Sequence, residues 1–217
     1  MLECATHSGD AARVLELAHA APYIHAAIGI HPESLIEEDA ATVAVYHGDW
    51  RAELAAMRPL FEDKAVVAVG EIGLDHHWPV PRQEQYALFE AQLQLAKELD
   101  LPVSVHDREA HAEMYELLRK YKPRGALHCY SGSAEDAVWL VEQGLYLGFG
   151  GAVTYKGAKR AARCWPPSRT TAPCWKPTAL YGPPSRCAAP ATTAATLPTW
   201  PPTSARSGIW TPRPCWM

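Results

Sequence analysis

Residues 65–75 read AVVAVGEIGLD, residues 82–100 read RQEQYALFEAQLQLAKELD, and residues 101–107 read LPVSVHD. The first and third stretches contain short runs of Val, Ile, Leu and Ala bordered by Gly or Pro. Such runs are typical of strands that are buried on both faces of a parallel sheet. The middle stretch has the apolar period of an amphipathic helix. Its apolar face consists of Tyr86, Phe89, Leu93 and Ala96. Together the three stretches predict a strand–helix–strand unit with a right-handed crossover.

The same alternation continues on both sides of this unit. Further strands are predicted within 23–32, 124–132 and 145–153, and further helices at 8–20, 108–121 and 133–144. Both a doubly wound sheet and a (β/α)₈ barrel fit this alternation. No GxGxxG or GxxxxGK[ST] motif follows a predicted strand, so nucleotide-binding fingerprints give no support to the doubly wound sheet. About five such units would form most of a barrel but would not close it.

The composition divides the chain into two unlike parts. The chain has 217 residues and a formal net charge of −4. Every acidic residue and every histidine lies before Gln143, whereas the segment from Cys164 onward holds 12 of the 19 prolines and 5 of the 8 tryptophans. We call residues 1–163 the body and residues 164–217 the tail. The tail lacks apolar periodicity, and its prolines interrupt helices and strands alike. We therefore expect the body to fold and the tail to be disordered.

Several classes of protein are disfavoured by the sequence. It has no window of ~18 apolar residues for a transmembrane helix and no basic segment followed by an apolar run for a secretory signal. Its six cysteines include no CxxC spacing, so they do not predict a disulfide framework. These features predict a cytoplasmic protein without a membrane contact. They give no sign of an obligate protein partner.

Four predicted strands end in a side chain that can bind a metal ion, namely His31, Glu71, His106 and His128. The carboxyl ends of barrel strands form the mouth where active sites are built. A single histidine at a strand end is more often structural, but four such groups in series favour a common site. Imidazole nitrogens with a carboxylate suit a divalent cation such as Zn²⁺ or Mn²⁺.

Four motifs in the body resemble those of the TatD-like metal-dependent deoxyribonucleases. They are GIHPE (29–33), VGEIGLD (69–75), LPVSVHDREA (101–110) and LHCYSG (127–132). The resemblance extends from about Ala5 to Lys159. It implies a TIM barrel of the metallo-dependent hydrolase type, incomplete in this chain. It also implies exonuclease-type hydrolysis of phosphodiester bonds at DNA or oligonucleotide ends. The cofactor implied is one or two divalent ions of Mg, Mn or Zn.

The resemblance also implies roles for individual residues. Glu71 matches the carboxylate that binds the metal and takes part in catalysis, and His106 and His128 match two histidine ligands. We predict that the ligand atoms of these three residues lie within about 5 Å of one another, as binding to one ion requires. Asp75 is a candidate catalytic residue that orients a ligand or a water, and its alternative is a turn carboxylate.

Two further residues are candidates for contacting substrate. His31 either contacts a phosphate or shapes the turn after its strand, and Arg108 either contacts a phosphate or lies on the surface at a helix start. We expect His76 and His77 to be solvated loop residues and His111 to be exposed on a helix.

Aromatic residues near the predicted mouth have two interpretations. Tyr130, Phe149 and Tyr155 either stack on bases or pack inside the fold. The body is acidic and lacks the basic surface that broad duplex binding needs. This charge favours a small contact, in which the end of one nucleic-acid strand is held at the metal.

The chain departs from the family pattern at two places. No HxH motif occurs, and CWKPT (174–178) stands where an ETD motif is expected. The codons for Cys174, Trp175 and Lys176, read in a shifted frame, must encode Leu-Glu, and Thr-Asp is permitted next. We therefore predict a frameshift near Arg163, with a genuine proline-rich tail as the alternative. Without these ligands we expect the activity of this chain to be impaired.

Two other functions remain open at this point. One is a metal-dependent hydrolase of another ester or an amide, because the same barrel and ligand set serve that chemistry. The other is a non-catalytic barrel fragment, which would bind no metal at a stoichiometric level. Assays on oligonucleotides and on small esters with Mg²⁺, Mn²⁺ or Zn²⁺ distinguish these possibilities.

Overall fold

The computed structural model describes residues 1–149, which form one sheet of six parallel strands with helices packed against it. The strands are β1 (Leu2–Cys4), β2 (His25–Ile28), β3 (Val66–Asp75), β4 (Val103–Arg108), β5 (Gly125–Leu127) and β6 (Leu145–Leu147). Each strand pairs with the next one along the chain, so the sheet order is β1-β2-β3-β4-β5-β6. A doubly wound sheet reverses its strand order at a switch point, whereas a barrel does not. The described sheet is therefore part of a TIM-barrel-type fold, as predicted.

In residues 1–149, six α-helices connect the strands. They are α1 (Ser8–Ala20), α2 (Ala41–Ala44), α3 (Trp50–Met57), α4 (Arg82–Glu98), α5 (His111–Tyr121) and α6 (Ala134–Glu142), with 3₁₀ helices at Pro32–Leu35 and Arg58–Glu62. All four predicted helical stretches are confirmed, as α1, α4, α5 and α6. Ser133 caps the start of α6, because its Oγ accepts the N–H of Asp136 at 3.0 Å.

The structure contains elements that the sequence pattern did not predict. Strand β1 is only three residues long, and the segment from 32 to 64 folds into short helices. The predictions of a disordered tail, of a frameshift near Arg163 and of a body ending at 163 lie outside the described residues. Within residues 1–149, no helix combines the length and the apolar character that crossing a bilayer requires.

Two groups of buried apolar residues form the core on either side of α4. One group joins β3, β4 and β5 to α4 and α5 and includes Val105, Phe89 and Met114. The other joins β1 and β2 to α1 and α3 and includes Ile28 and Leu88. Because α4 contributes neighbouring residues to both groups, it fixes the two parts of the sheet relative to each other. This position lets α4 reach the carboxyl ends of β2 and β3.

Candidate metal centre

Glu71, His106 and His128 lie on three successive strands of the sheet and point to one place. Glu71 is in β3, His106 is in β4, and His128 directly follows β5. Glu71 Oε1 is 3.4 Å from His106 Nδ1 and 2.8 Å from His128 Nε2. The two histidine nitrogens are 3.2 Å apart. All three side chains are largely buried, so the structure brings together the three residues that the sequence indicated as ligands.

The donor atoms of these three residues fit a divalent cation. Ligand atoms bound ~2.1 Å from one ion in a tetrahedral site stand roughly 3.4 Å apart. The observed separations of 2.8 to 3.4 Å require only a small opening of the cluster. Two imidazole nitrogens and one carboxylate oxygen suit borderline cations such as Zn²⁺ and Mn²⁺. The chemistry and spacing of the donors therefore agree with a metal site.

Asp75 holds His106 from the side opposite Glu71. Its Oδ2 lies 2.9 Å from His106 Nε2. Its Oδ1 accepts the backbone N–H groups of His77 and Trp78 at 2.8 and 3.3 Å. Both interpretations of this residue therefore describe real contacts, one to a histidine and one within a turn. A carboxylate behind a ligating imidazole fixes which ring nitrogen carries the proton, and here that leaves Nδ1 facing Glu71.

The buried carboxylates of the cluster and the His106 imidazole stabilise each other's charged forms. Burial acts to raise the pKa of Glu71, but hydrogen bonds with His106 and His128 outweigh it and lower the pKa well below its ordinary value. Burial acts to lower the pKa of His106, but hydrogen bonds with Asp75 and Glu71 raise the pKa to about 9. Burial also acts to raise the pKa of Asp75, and the hydrogen bond with His106 contributes most to lowering it to about 2. The site therefore stabilises positive charge between two carboxylates.

His31 completes the cluster on the β2 side. Its Nε2 is 3.6 Å from Glu71 Oε1, and its Nδ1 accepts the N–H of Glu33 at 3.3 Å as the cap of a 3₁₀ helix. Burial, followed by the nearby His106, lowers the pKa of His31 to about 3. A neutral ring whose Nδ1 accepts a hydrogen bond carries its proton on Nε2. His31 thus shapes its turn and also presents an N–H donor to the centre.

Glu33 is a site residue that the sequence analysis missed. One of its carboxylate oxygens, one of Asp75 and one nitrogen of His106 lie within 4.8 Å of one another. Burial first, and then the negative charge of Asp75, raises the pKa of Glu33 above its ordinary value. The signal was present in the sequence, because Glu33 ends the GIHPE motif two residues after His31.

Two buried glutamines of α4 hold the ends of β2 and β3. Gln92 Oε1 accepts the N–H of Ile30 at 2.7 Å, and its Nε2 donates to the carbonyl of Ile30 at 2.9 Å. Gln85 makes the same pair of bonds to the N–H and carbonyl of Asp75, at 2.7 and 2.9 Å. Ile30 directly precedes His31, so each amide fixes the backbone at or beside a residue of the cluster. Both glutamines are fully buried.

We expect Gln92→Met to destabilise the fold by about 2–5 kcal/mol, because it leaves a buried N–H and a buried carbonyl of Ile30 without partners. Urea unfolding of the metal-free chain measures this loss. Gln94→Met on the same helix is the matched control, because Gln94 is exposed and within residues 1–149 its side chain bonds only to the Tyr121 hydroxyl. Equal unfolding free energies for the two variants would contradict the assigned role of Gln92.

Arg108 lies outside the cluster of ligands. It is the last residue of β4, three residues before α5 begins, and its guanidinium carbon is 5.9 Å from the centre of the Trp78 ring. Trp78 is 46% exposed in the loop after β3. Trp78 was not predicted as a site residue, because a single aromatic residue in a loop carries no periodic signal.

The structure contradicts the expectations for His76 and His111 and agrees with the expectation that His77 is an exposed loop residue. His76 is not solvated, because its side chain is only 7% exposed and lies 2.9 Å from Glu113. His77 is half-exposed and pairs with Glu109 at 3.2 Å. His111 is half-buried rather than exposed, because its Nδ1 lies 2.6 Å from Asp107 Oδ2.

The aromatic residues expected near the mouth are mainly core residues. Tyr130 and Phe149 are buried and pack edge to face with ring centres 6.2 Å apart. Their packing role replaces the interpretation that they stack on bases. Tyr155 lies outside the described residues.

The parallel sheet is of the TIM-barrel type, and the donor atoms of its candidate site suit a metal-dependent hydrolase. The family model for TatD related DNase matches residues 1–171. The chain therefore belongs to the TatD-related DNase family, as the motifs predicted.

Individual relatives agree with this membership. The chain is 39% identical over 155 residues to the uncharacterized metal-dependent hydrolase YabD of Bacillus subtilis (strain 168), an alignment that covers 68% of this chain and 55% of that protein. It is 38% identical over 158 residues to the 3'-5' ssDNA/RNA exonuclease TatD of Edwardsiella piscicida, covering 70% of this chain and 56% of that one. The chain thus spans a little over half the length of the curated relatives that it matches.

Solved structures give the same result for the fold. The crystal structure of YJJV, a TatD homologue from Escherichia coli, is 34% identical with a TM-score of 0.61, and the match covers 71% of this chain and 57% of that chain. A TatD family hydrolase from Entamoeba histolytica has a TM-score of 0.60 at 18% identity, which supports the fold alone.

Proposed function

We propose that this chain is a metal-dependent hydrolase that cleaves phosphodiester bonds at the ends of single-stranded DNA or oligonucleotides. The observation that carries the proposal is the convergence of one carboxylate and two imidazoles from successive strands, with facing atoms 2.8 to 3.4 Å apart. Relatives named as ssDNA/RNA exonucleases support the same chemistry. We propose residues 1–163 as the hydrolase part of the chain and residues 164–217 as a separate tail.

In this proposal Glu71, His106 and His128 hold a divalent cation such as Mg²⁺, Mn²⁺ or Zn²⁺. When bound, such a cation lowers the pKa of a coordinated water and offsets negative charge on a phosphate. Glu71 supplies the negative charge that the cation needs, and its burial strengthens that attraction. Asp75 keeps a proton of His106 on Nε2, so a cation that binds at Nδ1 displaces only the proton there.

Two other side chains are proposed to contact the substrate. His31 presents its Nε2 proton toward the centre, where a phosphate oxygen can accept it. Arg108, at the end of β4, supplies positive charge for a phosphate next to the scissile one. Neither contact needs a broad basic surface, which agrees with the acidic body of the chain.

A metal titration of the full chain followed by hydrolysis assays tests the proposal. We expect one Mn²⁺ or Zn²⁺ per chain from residues Glu71, His106 and His128, and shortening of a 5′-labelled single-stranded oligonucleotide that stops when a chelator is added. His106→Ala should abolish both, whereas His111→Ala should preserve both, because His111 pairs with Asp107 away from the centre. Cleavage of small esters or lactones without any cleavage of oligonucleotides would replace the proposed substrate. Absence of stoichiometric metal binding would identify the chain as a non-catalytic fragment.

A further inference from the structure

The loop after β3 presents an exposed indole beside the candidate metal centre. Trp78 is 46% exposed, and its backbone N–H donates to Asp75 Oδ1 at 3.3 Å. The other oxygen of the same carboxylate faces His106 at 2.9 Å. One buried carboxylate therefore links the position of Trp78 to the position of a candidate metal ligand. The backbone of Trp78 is therefore held next to the site.

Arg108 lies next to this indole without being tightly bound to it. Its guanidinium carbon is 5.9 Å from the ring centre, near the ~6 Å limit for a cation–π attraction. The corresponding distances are 4.0 Å for Arg51 over Trp50 and 4.5 Å for Arg119 over Trp139.

The other contacts around the Trp78 indole and the Arg108 guanidinium also leave these groups available to a ligand. Two acidic side chains of neighbouring segments pair with other groups, Glu109 with His77 and Glu113 with His76 and Arg82. In residues 1–149, no carboxylate lies within ion-pair distance of Arg108. The His77 ring stands perpendicular to the indole, at 85° with 5.1 Å between the ring centres, so it does not stack parallel to it.

We propose that Trp78 and Arg108 form a nucleotide subsite, in which the indole stacks on an unpaired base and the guanidinium contacts the adjacent phosphate. This subsite rests on the proposed function, because it places the neighbouring phosphodiester near Glu71 and His106. Every base has a face that stacks on an aromatic ring, so the subsite accepts any sequence. A base inside a duplex has both faces covered, so the subsite selects single-stranded ends.

Stacking on an aromatic ring contributes ~1–3 kcal/mol per base, so its loss weakens binding roughly 5- to 100-fold. We expect Trp78→Ala to weaken binding of a short single-stranded oligothymidylate by about tenfold, and Trp78→Phe to recover most of the loss. Fluorescence anisotropy with the metal-free full chain in chelator measures this binding without hydrolysis. Tyr23→Ala is the matched control, because Tyr23 is 66% exposed but lies just before the amino end of β2, whereas Trp78 follows the carboxyl end of β3.

A second arm changes the substrate instead of the protein. An oligonucleotide whose bases are replaced by abasic sites should bind the wild-type chain about tenfold more weakly. The Trp78→Ala variant should bind the abasic and the intact oligonucleotides equally well, because it lacks the indole on which a base stacks. Arg108→Gln should reduce the slope of log affinity against log salt concentration by about one, as expected for the loss of one phosphate contact.

The outcomes separate this inference from the proposed function. Equal affinities of the wild-type chain and Trp78→Ala, equal affinities for intact and abasic strands, equal affinities for single strands and duplex, or no binding at all would each overturn the subsite. If Trp78→Ala weakens binding but the metal-loaded wild-type chain cleaves no phosphodiester, the subsite stands and the proposed hydrolysis is wrong.

Discussion

Replacing Glu71 by glutamine is expected to lower the affinity of the chain for Mn²⁺ or Zn²⁺ by about three orders of magnitude. Glutamine keeps the shape and one carbonyl oxygen of the side chain but removes its charge. Two unit charges about 4 Å apart attract by about 4 kcal/mol at an effective dielectric constant of ~20, which corresponds to roughly a thousandfold. The Glu71 side chain is only 18% exposed, so water screens little of this attraction.

Isothermal titration of the metal-free chain measures the affinity, and circular dichroism checks that the variant is folded. Glu109→Gln is the matched control, because it removes the same charge from the same region of the molecule. Glu109 is 64% exposed and pairs only with His77 among the ion pairs of residues 1–149. We expect the control to change the affinity less than twofold. If Glu71→Gln and Glu109→Gln bind the cation equally well, the ion does not sit between Glu71 and the two histidines.

The parts of the fold that the sequence predicted are those with a strong local signal. Helix α4 was predicted from its apolar period and lies at Arg82–Glu98. Strand β3 was predicted from a continuous apolar run and lies at Val66–Asp75. Strand β1 has three residues and no such run, and it is recognisable only from its pairing with β2. The strand order likewise depends on long-range pairing, which is why the pattern alone left two architectures open.

The candidate ligands could be predicted for a geometric reason. His106 and His128 lie near the carboxyl ends of parallel strands, which meet on one side of the sheet. Glu71 was predicted to end its strand, but it lies inside β3, which continues to Asp75. Gln85 and Gln92 could not be predicted in this way. A glutamine on an amphipathic helix usually faces water, and only the unpaired backbone groups of Ile30 and Asp75 explain why these two are buried. Trp78 was missed because its role depends on neighbours from two other segments.

Replacing Asp75 by asparagine is expected to lower the affinity for the metal ion by 10- to 100-fold, the usual effect of losing the partner behind a ligating histidine. When His106 binds through Nδ1, its proton is on Nε2, where Asp75 Oδ2 accepts it at 2.9 Å. In asparagine, one carboxylate oxygen becomes an NH₂ group. If the NH₂ faces His106, two donors meet. If the amide is flipped, the bonds from His77 and Trp78 to Oδ1 are lost.

Asp107→Asn is the matched control, because Asp107 adjoins His106 in the chain but pairs with His111 on the other side of β4. Titration with Mn²⁺ or Zn²⁺ should show the loss for Asp75→Asn and a near-normal affinity for Asp107→Asn. The same carboxylate holds the amide of Trp78, so Asp75→Asn should also weaken oligonucleotide binding in chelator, where no metal contributes. Equal losses of metal affinity in the two variants would mean that buried charge in general, rather than the tautomer of His106, determines the affinity. If Asp75→Asn lowers the metal affinity but leaves oligonucleotide binding unchanged, Asp75 positions His106 without determining the position of Trp78.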